Sequence, residues 1–146
     1  MDTLQTVSTL ERVLLLREVP IFADLSPEDL QKLAGIAHEQ WFPNSTTIFN
    51  QGDEGNEMFI IVDGQVKVIR SANGKDQTLA QRGPGEFVGE MAIIESVPRS
   101  ATLVTQGEVR ALAIEGETFN QILRERPEVS LAVLQSFSRR LREMSA

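Results

Sequence analysis

From Glu39 to Glu115 the chain is cut into short runs of β-branched and aromatic residues by a regular series of turn signals. The signals are Pro43-Asn44, Gly52-Asp53, Asp63-Gly64, Asn73-Gly74, Gly83-Pro84-Gly85 and Gln106-Gly107. Asn73-Gly74 is the strongest, because a two-residue type I′ hairpin needs positive φ at both central positions. This punctuation predicts strands at 39–42, 46–50, 57–62, 65–71, 77–82, 101–105 and 108–114. Many short strands at such spacing close into an antiparallel barrel, roll or sandwich.

Helical spacing takes over on both sides. Met1 to Arg17 is predicted as a helix, with Ser8 and Glu11 in a capping box and Leu10, Val13, Leu14 and Arg17 following at three- and four-residue steps. Pro20 ends it and pushes Val19 extended. Ile21 and Phe22 read as an anchoring pair. Ser26-Pro27-Glu28-Asp29 opens a second helix: Ser26 caps, Pro27 takes the first position, and the acids meet the positive end of the dipole. Its buried stripe is Leu30, Leu33, Ala34 and Ala37. After Gly116, Phe119, Ile122 and Leu123 share one face of a short helix. Pro127 starts the last helix, where Leu131, Leu134, Phe137 and Leu141 are read as core or hinge contacts.

Composition narrows the function. A length of 146 residues fits one domain with a sizeable core. The net charge of −7 argues against a nucleic-acid surface, which needs clustered Lys and Arg, so any anion site must be local. There is no cysteine, hence no disulfide or thiolate chemistry. No apolar run approaches the roughly 18–20 residues that span a membrane, and the acidic N-terminus lacks the basic start of a signal peptide. The expectation is a cytoplasmic chain without membrane insertion. His38 is the sole histidine, and Asp53, Glu54 and Glu57 lack the longer oxygen pattern of a calcium loop, so no metal site is expected. No Ser–His–Asp set, Walker motif or tuned carboxylate pair supports catalysis. The chain is read as a non-enzyme without a cofactor.

One stretch, 85–101, has the chemistry of a small anion site. Gly85 and Gly89 let backbone N–H groups approach a ligand. The run Met91–Ile94 can begin a helix whose first N–H groups point outward. Ser96-Val97-Pro98 then turns the chain and delivers Arg99, a planar fork suited to phosphate oxygens. Glu90 would repel phosphate and instead suits a sugar hydroxyl, which donates a hydrogen bond. Phosphate plus ribose means a nucleotide. Taken alone, Arg99 would read as a solvated residue or a partner of Glu95, and Glu90 as an acid favoured by the helix dipole.

The motifs Gly89-Glu90-Met91-Ala92 and Pro98-Arg99-Ser100-Ala101-Thr102 resemble the phosphate-binding cassette of cyclic nucleotide-binding domains. The spacing from Glu90 to Arg99 is similar to that in the regulatory subunits of cAMP-dependent protein kinase. The run from Gln51 to Val68 resembles the same family's β-roll signature, and the resemblance extends from about Val19 to the C-terminus. It implies a mainly β fold: a jelly-roll-like antiparallel β-roll of about eight strands with flanking helices. One domain would comprise helices over 1–38, a β-roll over 39–115 containing the cassette at 85–101, and helices over 116–146. It also implies that Glu90 binds the ribose 2′-hydroxyl and Arg99 the cyclic phosphate. Gly89, Met91, Ala92 and Ala101 would supply backbone groups. Ser100 leaves cAMP and cGMP both open, with cAMP preferred. Val88 could line the purine pocket or pack in the core, and Phe137 is one candidate to cap the base.

The implied role is a cyclic nucleotide sensor that transmits occupancy by repacking its C-terminal helices. Alternatives are a ligand-independent protein-interaction domain of the same fold, or the sensor part of a larger DNA-binding regulator or transporter-linked protein. Expected partners are a cyclic nucleotide and a larger parent protein or effector, with a homodimer through the C-terminal helix also open.

Overall fold

The computed structural model describes residues 2–145, with side chains from residue 9 to 144. In chain order the elements are α1 (Asp2–Arg17), a 3-10 turn (Pro20–Phe22), α2 (Pro27–Ile36), β1 (His38–Phe42), β2 (Thr47–Phe49), β3 (Glu57–Ala72), β4 (Lys75–Arg82), β5 (Phe87–Val88), α3 (Glu90–Glu95), β6 (Thr102–Glu115), α4 (Gly116–Glu125) and α5 (Pro127–Ser145). They form two compact units. Ala37–Asn120 makes the β unit, and the chain up to Ile36 joins the chain from Gln121 onward to make the helical unit.

In the β unit all pairings are antiparallel, in the order β1-β6-β3-β4, with β2 also on β6 and β5 also on β3. The sheet has six strands, in keeping with the expected β-roll: two predicted breaks do not end a strand, and Phe87–Val88 adds one that was not among the seven predicted runs. The runs 57–62 and 65–71 are one strand, β3, and the runs 101–105 and 108–114 are one strand, β6. Pairing shifts where the turn signals lie: Asp63 faces Arg110, whereas Gln65 faces Gln106. The extra residues of β6 form an irregularity that bends the ribbon. Gly64 sits at this bend with φ +92°, where a Cβ would lie 2.2 Å from the Glu108 carbonyl oxygen. Asn73 and Gly74 have φ of 56° and 74°, and Ala72 pairs with Lys75 across them, as a type I′ hairpin requires.

The core of this unit is Phe59, Ile61, Val66, Val88, Leu103, Val109, Ala111 and Ala113, with Phe42, Ile48, Phe49 and Val68 packed against it. Burying one such aliphatic or aromatic side chain contributes about 1.5–3 kcal/mol. Phe119, at the start of α4, is also fully buried.

In the helical unit, α1 packs on α2, and α5 packs on the Pro20–Phe22 turn. Val19 is extended (φ −79°, ψ 121°), and Ile21 and Phe22 are buried. The Ser26 hydroxyl accepts the Asp29 amide at 3.1 Å, so Ser26 caps α2 as expected. Leu30, Leu33 and Ala34 are buried. Ser8 does not start a helix, since α1 runs continuously from Asp2; its side chain lies outside the described residues.

The last helix differs from its predicted register. Val129, Val133 and Ser136 are its buried residues, whereas Leu131, Leu134 and Leu141 are 56%, 63% and 64% exposed. The helix carries two interleaved stripes. The smaller side chains of one allow close approach to the packed face and leave the leucines outside.

Candidate functional site

The loop from Asn50 to Asn56 and the segment from Gly89 to Arg99 meet around a single buried guanidinium. Arg99 is 6% exposed. Its backbone is held on both sides by the loop: the Gly52 amide donates to the Arg99 carbonyl at 2.8 Å, and the Arg99 amide donates to the Asp53 carbonyl at 2.8 Å. The side chain then reaches inward. Nη1 donates to the Gly89 carbonyl at 2.7 Å, and Nη2 donates to the Glu57 carbonyl at 2.6 Å. Cζ lies 4.0 Å from the centroid of the Phe49 ring, which stacks on Phe59. A desolvated cation over an aromatic face is attracted by the ring quadrupole.

Glycine makes room for this arrangement at two positions. A Cβ at Gly55 would lie 2.6 Å from Arg99 Nε, and one at Gly89 would lie 2.7 Å from Nη1. Gly89 also has φ +80°, which a side chain disfavours. The guanidinium therefore fills space that only a glycine at each of these positions leaves open.

Burial pushes the Arg99 guanidinium below its ordinary value, while Glu57, Glu90 and Asp53 act in the opposite direction. Glu90, the first residue of α3, is 5% exposed. One group remains unmatched. Arg99 Nε is buried and has no hydrogen-bond partner. An unsatisfied buried donor costs about 1–3 kcal/mol, more when it is charged. An anionic oxygen is the chemistry that would satisfy it.

The other predicted residues differ in burial and in place. Gly89 and Glu90 lie at the guanidinium. Ala92 is buried, and its Cβ faces the open side of Gly55. Met91 is 47% exposed. Ser100 is exposed and Ala101 is buried. Val88 pairs with Phe59 and belongs to the β core. Phe137 is half-buried on α5, in the helical unit. Phe49, Gly55 and the Glu57 carbonyl were not singled out as site residues by sequence reasoning. A glycine that makes room for a neighbour carries no signature of that role, and a carbonyl acceptor has no side-chain signature.

The cassette is also tied to the first residues of α4. Asn120 Nδ2 donates to the Ile93 carbonyl at 3.1 Å, and the Gly116 amide donates to the Asn56 carbonyl at 2.8 Å. A Cβ at Gly116 would lie 2.6 Å from Ile93 Cδ1. The start of α4 thus touches both the cassette helix and the loop beside Arg99.

Comparison with known proteins agrees with this geometry. The family model of the cyclic nucleotide-binding domain matches residues 39–126. A CRP-like cAMP-activated global transcriptional regulator from Mycobacterium tuberculosis is 32% identical over 129 residues, covering 88% of this chain and 58% of the relative. The catabolite activator protein of Thermus thermophilus superposes with a TM-score of 0.74 at 32% identity, over 86% of this chain and 60% of that one. The regulatory domain of Toxoplasma gondii PKA, solved with cAMP, superposes with a TM-score of 0.82 over 91% of this chain and 51% of that one; at 18% identity it shows the fold alone. The chain therefore spans less than two thirds of each of these relatives. Its β-roll, the cassette within it and the match over residues 39–126 make this chain a member of the cyclic nucleotide-binding domain family.

Proposed function

We propose that this chain is a cAMP-binding regulatory module and not an enzyme. The observation that carries the reading is the buried Arg99 guanidinium with an unmatched Nε, set between glycines at 55 and 89. In this reading Arg99 holds the cyclic phosphate, Glu90 accepts from the ribose 2′-hydroxyl, and the backbone at Gly89, Met91, Ala92 and Ala101 completes the cradle. Ser100, exposed beside Arg99, meets the ligand from outside. In the same reading Val88 lines the purine pocket from the β core, and Phe137 caps the base when the helices repack. The name of the Mycobacterium tuberculosis regulator supports cAMP, while cGMP-dependent protein kinase 2 of Homo sapiens, 34% identical over 109 residues, keeps cGMP as the alternative ligand.

Transmission occurs by a population shift. Capture of the phosphate biases the cassette, and the links from Ile93 to Asn120 and from Asn56 to Gly116 pass that bias to α4. The helices from Glu117 onward then repack. A ligand moves such an equilibrium only by its differential affinity for the two states. The module works in the cytoplasm as the sensor of a longer regulator, and it pairs with a second copy through the exposed Leu131, Leu134 and Leu141 stripe of α5.

Calorimetric titration with cAMP and with cGMP, on this protein and on Arg99→Ala, tests the reading. Saturable cAMP binding that the variant loses supports it. Absence of heat and of thermal shift with either nucleotide overturns it in favour of a ligand-independent interaction domain. Sedimentation of Leu134→Glu against the parent chain tests the pairing, which predicts a dimer that the substitution dissociates.

A further inference from the structure

The Arg99 backbone is held by the turn Asn50–Asp53, and that turn is itself held from outside. It closes internally, with the Asp53 amide on the Asn50 carbonyl at 3.1 Å and the Asn50 amide on Asp53 Oδ2 at 3.0 Å. The Gln51 amide donates to Thr102 Oγ1 at 2.9 Å, at the start of β6. The Gln51 side chain points away from this turn to the β3–β4 hairpin. Its Oε1 accepts the Ser71 amide at 2.8 Å, and its Nε2 donates to the Ser71 carbonyl at 3.1 Å. One primary amide thus pairs with both backbone groups of a single residue, as a neighbouring strand would. Ser71 is fixed in turn by its hydroxyl, which donates to the Asp76 carboxylate across the hairpin.

We infer that Gln51 is a positioning residue for phosphate capture, registering the Arg99 guanidinium through the Asn50–Asp53 turn. This rests on the reading of Arg99 as the phosphate contact. The physical argument is one of degrees of freedom. Gly52 and Asp53 grip the Arg99 backbone, but the turn that carries them is exposed and short. The Thr102 contact joins the turn to the same segment that carries Arg99, so without the Gln51 side chain the turn can shift along the sheet and take the Arg99 Cα with it. Gln51 anchors it to a hairpin whose pairing with the rest of β3 is independent of the site. The side chain does not touch the guanidinium, so it acts through the backbone alone. A fork that must meet two carbonyls and a ligand oxygen at once tolerates little displacement.

The test uses Gln51→Met, which keeps length and removes both polar groups, and Gln51→Asn, which stays polar but is too short to reach both Ser71 groups. Gln51 is exposed, so neither change opens a cavity. Loss of the two anchoring hydrogen bonds is expected to weaken cAMP binding about tenfold in each variant, at about 1.4 kcal/mol per decade. The Ser71→Ala variant keeps both backbone groups and loses only the bond to Asp76, and is expected to weaken binding less than either Gln51 variant. The decisive readout is the Arg99 Nε–H signal in ¹H–¹⁵N spectra of the nucleotide-free protein. It should be a single sharp line in the parent and broadened or displaced in the Gln51 variants. An unchanged line, or unchanged cAMP affinity in both variants, overturns the inference. Failure of the parent to bind any cyclic nucleotide would sink the reading of the site instead, while the Nε–H comparison would still judge the anchor.

Discussion

Arg99 in the β unit and Arg126 in the helical unit present the same side chain in opposite conditions. Arg126 meets a carboxylate fork to fork, with Nε on Asp29 Oδ2 at 2.7 Å and Nη2 on Asp29 Oδ1 at 3.0 Å, and its side chain is 37% exposed. Both charges are answered there. Arg99 is buried, meets backbone carbonyls at 2.7 and 2.6 Å, and keeps one N–H unmatched. Arg126 is finished by folding alone. Arg99 keeps the unmatched N–H that the proposed phosphate contact would use. A buried charged group left incomplete costs stability, and the proposed function gives that cost a use.

That contrast orders the expected effects of substitution. Arg99→Ala should weaken cyclic nucleotide binding by roughly two orders of magnitude or more, since truncating one partner of a buried charged contact costs on the order of 2–5 kcal/mol. Calorimetry measures it, and retained affinity would make Arg99 equivalent to Arg126. Gly55→Ala should displace the guanidinium without removing its charge and reduce affinity by about tenfold. If it binds as the parent does, the close approach at Nε is not needed. Phe49→Leu should lower the melting temperature and weaken binding modestly, since a desolvated cation–π contact contributes about 1–2 kcal/mol. Asp29→Asn should leave nucleotide affinity unchanged and affect stability slightly, as expected of a partly exposed surface pair.

The Asp29 pair also gives a sign with pH. Hydrogen bonding from Arg126 holds the Asp29 carboxyl below its ordinary value of 3.8. A lowered folded-state value contributes stability that is present above 3.8 and is lost as pH falls through the folded value. Acid unfolding of the parent should therefore show a slope in that range that Asp29→Asn reduces. An identical slope in both would show that the pair is not formed in solution.

Much of the fold was legible from residues whose identity is dictated by backbone geometry. Asn73-Gly74 announced its hairpin, Ser26-Pro27 its helix start, and Pro20 its helix end, because few other residues serve there. Arg99 and Glu90 stood out through the resemblance of their motifs to the cyclic nucleotide-binding cassette, since taken alone each has an ordinary structural reading. The merging of strands at Asp63-Gly64 and Gln106-Gly107 was not legible. A glycine that bends a paired ribbon and a glycine that reverses a chain look alike in one dimension. The leucines of α5 misled for a related reason. Two stripes on one helix both keep helical spacing, and only the packed neighbour decides between them. The acceptors of Arg99 were invisible because every residue has a carbonyl.

The long β3–β6 ribbon has a consequence for how the molecule comes into being. Glu57 pairs with Glu115 at one end and Ile69 with Thr102 at the other, so the ribbon closes a loop that contains the hairpin, β5 and the whole cassette. Loop-closure entropy must be met before these distant pairings return anything, which makes folding slow. Arg99 finds Glu57 and Gly89 only once that loop is shut. On the proposed function, a nucleotide would meet a complete site only after that closure. It should leave the refolding rate unchanged and act entirely by prolonging the lifetime of the folded chain.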